Sequence, residues 1–488
     1  MEKLALLSFV VVLASWFSAG ASAADAGALP LKDSVSQYGI TWTFSKPVPI
    51  GRFVTGDYYV VGPVTVASVT PRTLRGAEVS QLTERERSKY EGQYVRNGSM
   101  LNPPTTPATG YDSRFQNNFD PKLAAVFPLE MKPGDSLVST ISLDKTQQNQ
   151  VFRNPTRADE TSVLRTAAVL TCLAQAVPAD AFRPSYCDLK KDRIHRAGDI
   201  HWELLPSVER TKSAPKLSEL ERVFQRPWID HVYDWDSRTV HPSENMPGYG
   251  REVGRAVSIA ALALCSDYTR EEKETLCRGM IQVGIDNWGV AKRSERGESG
   301  GWPAAGGFGN GRKFPIVFAG VMLQDEEMLN IEKYAPEASF GEDEHTAFGK
   351  CWTGADVLFT GQYPLYAEKH PDVYADRSPY EHLQPSEWPG RRPTMSEGYR
   401  RCCTSNCWIG QALAAHLMGA VDVWDHDAFF AYCDRWMTED DAPFVKIINE
   451  AHTGEDFHPQ QRTTWDPFVN EMWAKYRSNL PPAPGGKR

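Results

Sequence analysis

Apolar and polar positions alternate along the first third of the chain and then change period. Ile40-Thr41-Trp42-Thr43-Phe44 alternates strictly, Tyr58 to Val61 and Val64 to Val69 follow as short β-branched runs, and Leu137 to Ile141 is entered through a Pro133-Gly134 turn. A period of two with Pro and Gly punctuation predicts short strands, and several at this spacing predict a β-sandwich over 34–155. The polar stretch from Arg96 to Asn118 predicts a long loop that reaches over the neighbouring domain. Between 156 and 200 a stretch from Thr161 to Ala176 that favours strand or short helix, on Val163-Leu164 and Ala167 to Leu170, gives way to a Pro- and charge-rich segment from Pro178 to Ile200, and the domain junction is placed there or slightly earlier.

From Leu217 onward apolar residues recur at helical spacing. The pattern predicts helices over Glu219 to Phe224, Gly254 to Leu264, Arg270 to Trp288, Phe314 to Leu323, Cys407 to Met418, Asp427 to Met437 and Phe468 to Tyr476. In the second of these, Ala256, Ile259, Ala260, Ala263 and Leu264 form one stripe whose small side chains predict close helix contacts. Long irregular loops separate the helices, and the βα alternation of a TIM barrel or a Rossmann sheet is missing. The fold expected is an N-terminal β-sandwich followed by an (α/α) toroid helical domain over 201–480.

Composition adds compartment and charge. Lys3, the apolar run Leu4 to Phe17 and Ala21-Ser22-Ala23 read as a signal peptide over 1–23, cleaved before Ala24, which makes the mature protein secreted or periplasmic. No later run is long enough to cross a bilayer, so no membrane contact is expected after cleavage. In an oxidising compartment the nine cysteines become readable as disulfide partners. Cys265 with Cys277 and Cys172 with Cys187 are spaced as local staples, while Cys402, Cys403 and Cys407 are expected to pair with distant cysteines rather than to hold a metal. A formal net charge of −9 disfavours a nucleic-acid binder, yet cations gather at Arg251 and Arg255, Arg312 and Lys313, Arg391 and Arg392, and Arg400 and Arg401. An acidic chain with local basic patches suggests an acidic ligand.

Three segments carry candidate chemistry. His231 to Arg255 holds His241, Tyr249, Asp234, Asp236, Glu244 and Glu252, with Arg251 and Arg255 one helical turn apart. Ser299 to Pro315 packs glycines around Trp302, Asn310, Arg312 and Lys313, which suits close backbone approach to a ligand. Ser396 to Trp408 brings Tyr399 beside Arg400, with Ser405 or Asn406 as N-cap of the next helix. The Gly-Glu-Ser-Gly-Gly string at Gly297 lacks the strand and helix that a nucleophile elbow requires, and Gly306 to Lys313 lacks the Ser or Thr of a phosphate loop.

Gly254 to Leu264, the loop Trp302 to Lys313 with its following helix, and Tyr399-Arg400 together resemble secreted polysaccharide lyases of the α/α-toroid type, the alginate-lyase-like and heparinase-like group. The resemblance covers roughly the last 270 residues; the Asn-Asn-His string of several such lyases is absent, and the β-region comes first rather than last. It implies β-elimination on a uronate-containing acidic polysaccharide, without metal or other cofactor. Such a reaction needs the carboxylate neutralised, the C5 proton removed and the leaving O4 protonated. The resemblance gives neutralisation to Asn310 with Arg312 or Arg251, proton transfer to Tyr249, His241 or Tyr399, and sugar stacking to Trp302, with Arg255, Lys313 and Arg400 as further substrate-binding residues. A glycoside hydrolase using paired carboxylates among Asp234, Asp236, Glu244 and Glu252, and a non-catalytic glycan-binding protein, are the alternatives.

Overall fold

The computed structural model describes residues 29–106, 108–115, 119–148, 161–231, 241–246, 250–293, 300–362 and 380–486. The expected signal peptide lies outside these residues. So do Asp234, Asp236 and Tyr249.

The N-terminal region is one curled sheet, a half-barrel, and not two facing sheets. Its strands are β1 (Leu31–Gln37), β2 (Ile40–Arg52), β3 (Tyr58–Val61), β4 (Val64–Thr70), β7 (Ser99–Leu101), β8 (Leu129–Met131), β9 (Ser136–Gln148) and β10 (Thr161–Leu173), with a separate short pair, β5 (Leu74–Arg75) and β6 (Val95–Arg96), at its side. The order is β7-β9-β10-β3-β2-β4-β8, with β1 also on β2. Continuity comes from β2, whose 13 residues serve both halves: Thr41 to Phe44 pair with β4 and Ile50 to Arg52 with β3. Between these stretches Ser45, Lys46 and Pro47 are exposed, and beyond them Val48 and Ile50 are buried again. Ile40, Trp42, Phe44, Val66, Val69, Leu137 and Leu170 fill the concave side.

The sheet runs on past the expected boundary. The first part of the 156–200 junction is β10, a central strand antiparallel to β9 and parallel to β3. Its apolar run reflects burial on both faces: Ala168 and Leu170 join the sheet's own core, while Val163, Ala167 and Val169 join the core of the helical region.

The C-terminal region is mostly helical. After the short α1 (Glu84–Lys89) come α2 (Leu217–Phe224), α3 (Gly250–Cys265), α4 (Arg270–Ala291), α5 (Lys313–Leu323), α6 (Ile331–Tyr334) and α7 (Gly341–Glu344). They are followed by α8 (Arg392–Tyr399), α9 (Ile409–Met418), α10 (Val421–Trp424), α11 (Asp427–Thr438), α12 (Ala442–Ala451) and α13 (Pro467–Tyr476). The apolar stripe expected on α3 understates its burial. Every residue of this helix except Arg255 is buried, because α2, α4, α9 and α13 all pack against it. Ser396 to Trp408 is likewise no loop. It is the end of α8, a π-helical turn over Arg400–Thr404 and a 3₁₀ turn over Ser405–Cys407 that lead into α9. Neither Ser405 nor Asn406 caps α9; Asn406 donates instead to the Arg401 carbonyl.

Neither expected cysteine staple forms. Cys265 and Cys277 are buried free thiols on α3 and α4, and Cys172 faces the sheet's core while Cys187 lies in the helical one. The one disulfide among the described residues joins neighbours, Cys402 and Cys403.

A buried ion cluster fastens the two regions. Arg183 donates from Nε to Asp57 Oδ2 at 2.7 Å and from Nη2 to Asp286 Oδ2 at 2.6 Å, so one guanidinium bridges the sheet's β2–β3 turn and α4. Gln282 of α4 also pairs with both backbone groups of Arg183. Removing the cation would strand two buried carboxylates, so Arg183→Ala should cost about 3–5 kcal/mol in urea unfolding. A loss below about 1 kcal/mol would show that the carboxylates find water or protons cheaply.

Candidate functional site

The first turn of α3 is where the three chemistry-bearing segments meet. A Cβ on Gly250 would lie 2.1 Å from the Gly307 carbonyl oxygen, and one on Gly254 would lie 2.8 Å from Cys407 Sγ and 3.1 Å from Asn310 Cβ. The glycine-rich loop and the turn after α8 therefore both rest on the backbone of α3, closer than any side chain would allow. Tyr399 completes the contact, its ring lying against Gly306.

Polar groups secure this junction. Asn310 is fully buried and donates to the Cys403 carbonyl at 2.9 Å and to Cys407 Sγ at 3.2 Å, while its oxygen accepts from Trp408 Nε1 at 2.9 Å. Arg251 gives Nε and Nη2 to Glu252 Oε1 and Nη1 to the Cys402 carbonyl at 2.8 Å. A second convergence lies at Asp230. Arg312 Nε reaches its Oδ2 at 2.6 Å, His241 Nε2 stands 3.4 Å from its Oδ1, and Trp302 Nε1 donates to its backbone carbonyl at 3.0 Å. Burial would raise this carboxyl, but Arg312 and His241 together hold it well below the usual carboxylate range.

Burial assigns several expected ligand-binding residues to internal structure. Arg312 is fully buried on Asp230, Lys313 is paired with Asp343 at 2.5 Å, and Arg400 is held by Glu397 through two bonds of 2.7 and 2.8 Å. Their charges are neutralised inside the protein, not displayed in a cleft. Trp302 is only 3% exposed and offers solvent no stacking face. His241 is as deeply buried. Of the hydrolase carboxylates within the described residues, Glu244 is paired with Arg226 and Arg165, and Glu252 with Arg251. Tyr399, Arg255, Phe308 and Cys402 are among the residues of the junction that reach solvent, and all four are half-buried.

Other groups gave little signal in the sequence. His231 lies edge-on between Tyr111 and Tyr186, at 5.9 and 5.7 Å between ring centroids, and neither ring nitrogen has a hydrogen-bond partner. Burial pushes it down to about 3, so it is neutral in ordinary buffers. Tyr111 belongs to the expected long loop, which does reach the helical region, but as a buried core residue. Glu342 sits fully buried under the glycine loop, its Oε1 accepting from the Gly311 amide at 2.5 Å and its Oε2 without a partner. Its setting in Gly341-Glu342-Asp343-Glu344 reads as a solvated acidic run, which hides it. A groove of about 620 Å³ lies at the seam with the sheet, where Arg165 and Arg222 are offset by Asp144 and Glu244; no residue of the α3 junction lines it.

No protein-family model matches the chain, and neither does any curated protein or solved structure.

Two measurements test this geometry. Gly250→Ala would drive a methyl group into the Gly307 carbonyl and should destabilise the fold by about 1–3 kcal/mol; a change within about 0.5 kcal/mol would mean the loop is free to retreat. Burial pushes Glu342 up to about 7 from an ordinary value of 4.5. Between those values the folded protein keeps a proton that the unfolded chain has released, so this contribution is full at low pH and is lost as pH rises through 7. Glu342→Gln should therefore gain on the native protein between about pH 4.5 and pH 8, by on the order of 3 kcal/mol in urea unfolding. An equal difference at both pH values would show that Glu342 ionises normally.

Proposed function

We propose that the protein is an exported polysaccharide lyase that cleaves a uronate-containing acidic polysaccharide by β-elimination, with its helices forming an α/α toroid around the site. The observation that carries this reading is the convergence of three separate segments on the first turn of α3, with a tyrosine and a cation left at the surface. Tyr399 and Arg255 are half-buried, whereas the other cations of these segments within the described residues, Arg251, Arg312, Lys313, Arg400 and Arg401, are buried and hydrogen-bonded to protein groups.

In this reading Tyr399 exchanges the proton. A phenol suits both halves of an elimination, since its phenolate accepts the C5 proton and the resulting phenol returns one to the leaving O4. Arg255 faces the uronate carboxylate and stabilises the charge that develops beside it as C5 loses its proton. Asn310 and Arg312 act behind them by fixing the loop on which Tyr399 rests. His241 at 1% exposure does not meet a polymer in this conformation and serves to orient Asp230.

The test is a panel of alginate, glucuronan, glycosaminoglycan and pectic chains followed by ultraviolet absorbance, because elimination leaves an unsaturated uronate and hydrolysis does not. Tyr399→Phe should lower the rate about 10²-fold to 10⁴-fold, as loss of an acid–base group does, while His241→Ala costs mainly stability. Chain shortening without new absorbance would transfer the assignment to a hydrolase, and no shortening of any chain would remove the enzymatic reading.

A further inference from the structure

Arg255 is the one residue of α3 that is not buried, and its surroundings differ from those of the other arginines near the site. Its Nε is shielded from solvent without a hydrogen-bond partner, and among the described residues no carboxylate pairs with it. Arg251, one turn earlier, is balanced by Glu252 and anchored on the Cys402 carbonyl. Both guanidinium groups lie over the indole of Trp465, at 4.3 Å for Arg251 and 5.8 Å for Arg255.

Trp465 is 40% exposed, the only tryptophan among the large exposed hydrophobic residues described. Its neighbours hold it still. Asp466 Oδ1 accepts from the amides of Phe468 and Val469 to cap α13, and the Thr464 amide donates to Asn470 Oδ1 at 2.7 Å. An exposed indole on a hydrogen-bonded loop, beside a cation with no carboxylate partner among the described residues, offers a stacking surface and an anion contact that need no ordering before a ligand arrives.

We infer that Trp465 and Arg255, with Arg251 behind them, form a subsite for a single uronate residue. The open part of the indole takes the C–H face of the sugar ring, and Arg255 takes the carboxylate. The chemistry selects an acidic sugar over a neutral one, since a half-buried guanidinium with no carboxylate partner among the described residues gains most from a carboxylate, and the protein's net charge of −9 repels anions that lack such a contact. The identity of the ligand rests on the lyase reading; the location does not.

Titration calorimetry with a hexasaccharide of each uronate polymer, and with the same hexasaccharides after reduction of their carboxyl groups, tests the subsite. At least one charged hexasaccharide should bind the native protein, and its reduced form should bind about 10-fold or more weakly. Trp465→Ala and Arg255→Gln should each weaken the charged ligand by about 10-fold, with Trp465→Phe and Arg255→Lys falling between. Unchanged circular dichroism and melting temperature would confirm that the variants fold. Unsaturated product from the native protein, with all variants binding as it does, would overturn the subsite and leave the lyase reading intact. Loss of binding in both variants without any unsaturated product would uphold the subsite and remove the lyase reading. Equal affinity for charged and reduced forms, or no binding by the native protein, would overturn the subsite.

Discussion

The close approach of two chain segments to the backbone of α3 is the constraint on which the site depends. It requires glycine on both sides of the contact. Gly311 has a positive φ of 85°, and a Cβ there would sit 2.8 Å from Gly254 Cα. Neither position accepts a side chain, because one is fixed by conformation and the other by its neighbours. With the loop and the α8–α9 turn held at this distance, Asn310 is short enough to bond both to the Cys403 carbonyl and to Cys407 Sγ, and a single buried amide joins segments nearly a hundred residues apart.

Such packing draws charge inward. Segments lying flat on a buried helix carry their arginines into the interior, where each must meet a carboxylate or incur a large desolvation cost. Arg312 meets Asp230, Arg400 and Arg401 share Glu397, and Arg435 meets Glu381. Burial would raise Glu397, yet Arg400 and Arg401 hold it well below the usual carboxylate range, so this buried carboxylate keeps its charge. Networks of this kind specify which segment lies where, and they leave little freedom for a ligand to compete for the same guanidinium groups.

This explains what the sequence shows and what it conceals. The strand Ile40–Arg52 and the helix Leu217–Phe224 were legible because half-burial writes a period into the residues. The all-round burial of α3 was not, since Arg251 and Glu252 pair with each other and so enter the core as a polar dipeptide that looks solvated. The helix Ala442–Ala451 was not predicted, although its buried residues, Val445 and Ile448, stand three apart on one face. At the site, the convergence of the glycine loop with Tyr399 was foreseeable from residue type, whereas the partners of its cations, Asp230, Asp343 and Glu397, are ordinary acidic residues distinguished only by position. Trp465 stood in a polar run, Thr463-Thr464-Trp465-Asp466, with nothing nearby in sequence to suggest the arginines that it meets.

Exposure, more than residue type, then separates support from chemistry. His231, His241 and His345 have the side chain most often used for proton transfer, but all three are buried at 1% or less, and burial drives His231 down to about 3 and His345 down to about 4. A polymer meets only groups at the surface, and a base that weak would take a proton slowly even if it were reached. The same reasoning applies to the cations: Arg312, Lys313 and Arg400 are paired in the interior, whereas Arg255 is half-buried and has no carboxylate partner among the described residues. Tyr399 and Arg255 therefore stand on the solvent side of this junction, which is what their proposed roles rest on, and the buried polar groups beneath them act through the positions that they hold.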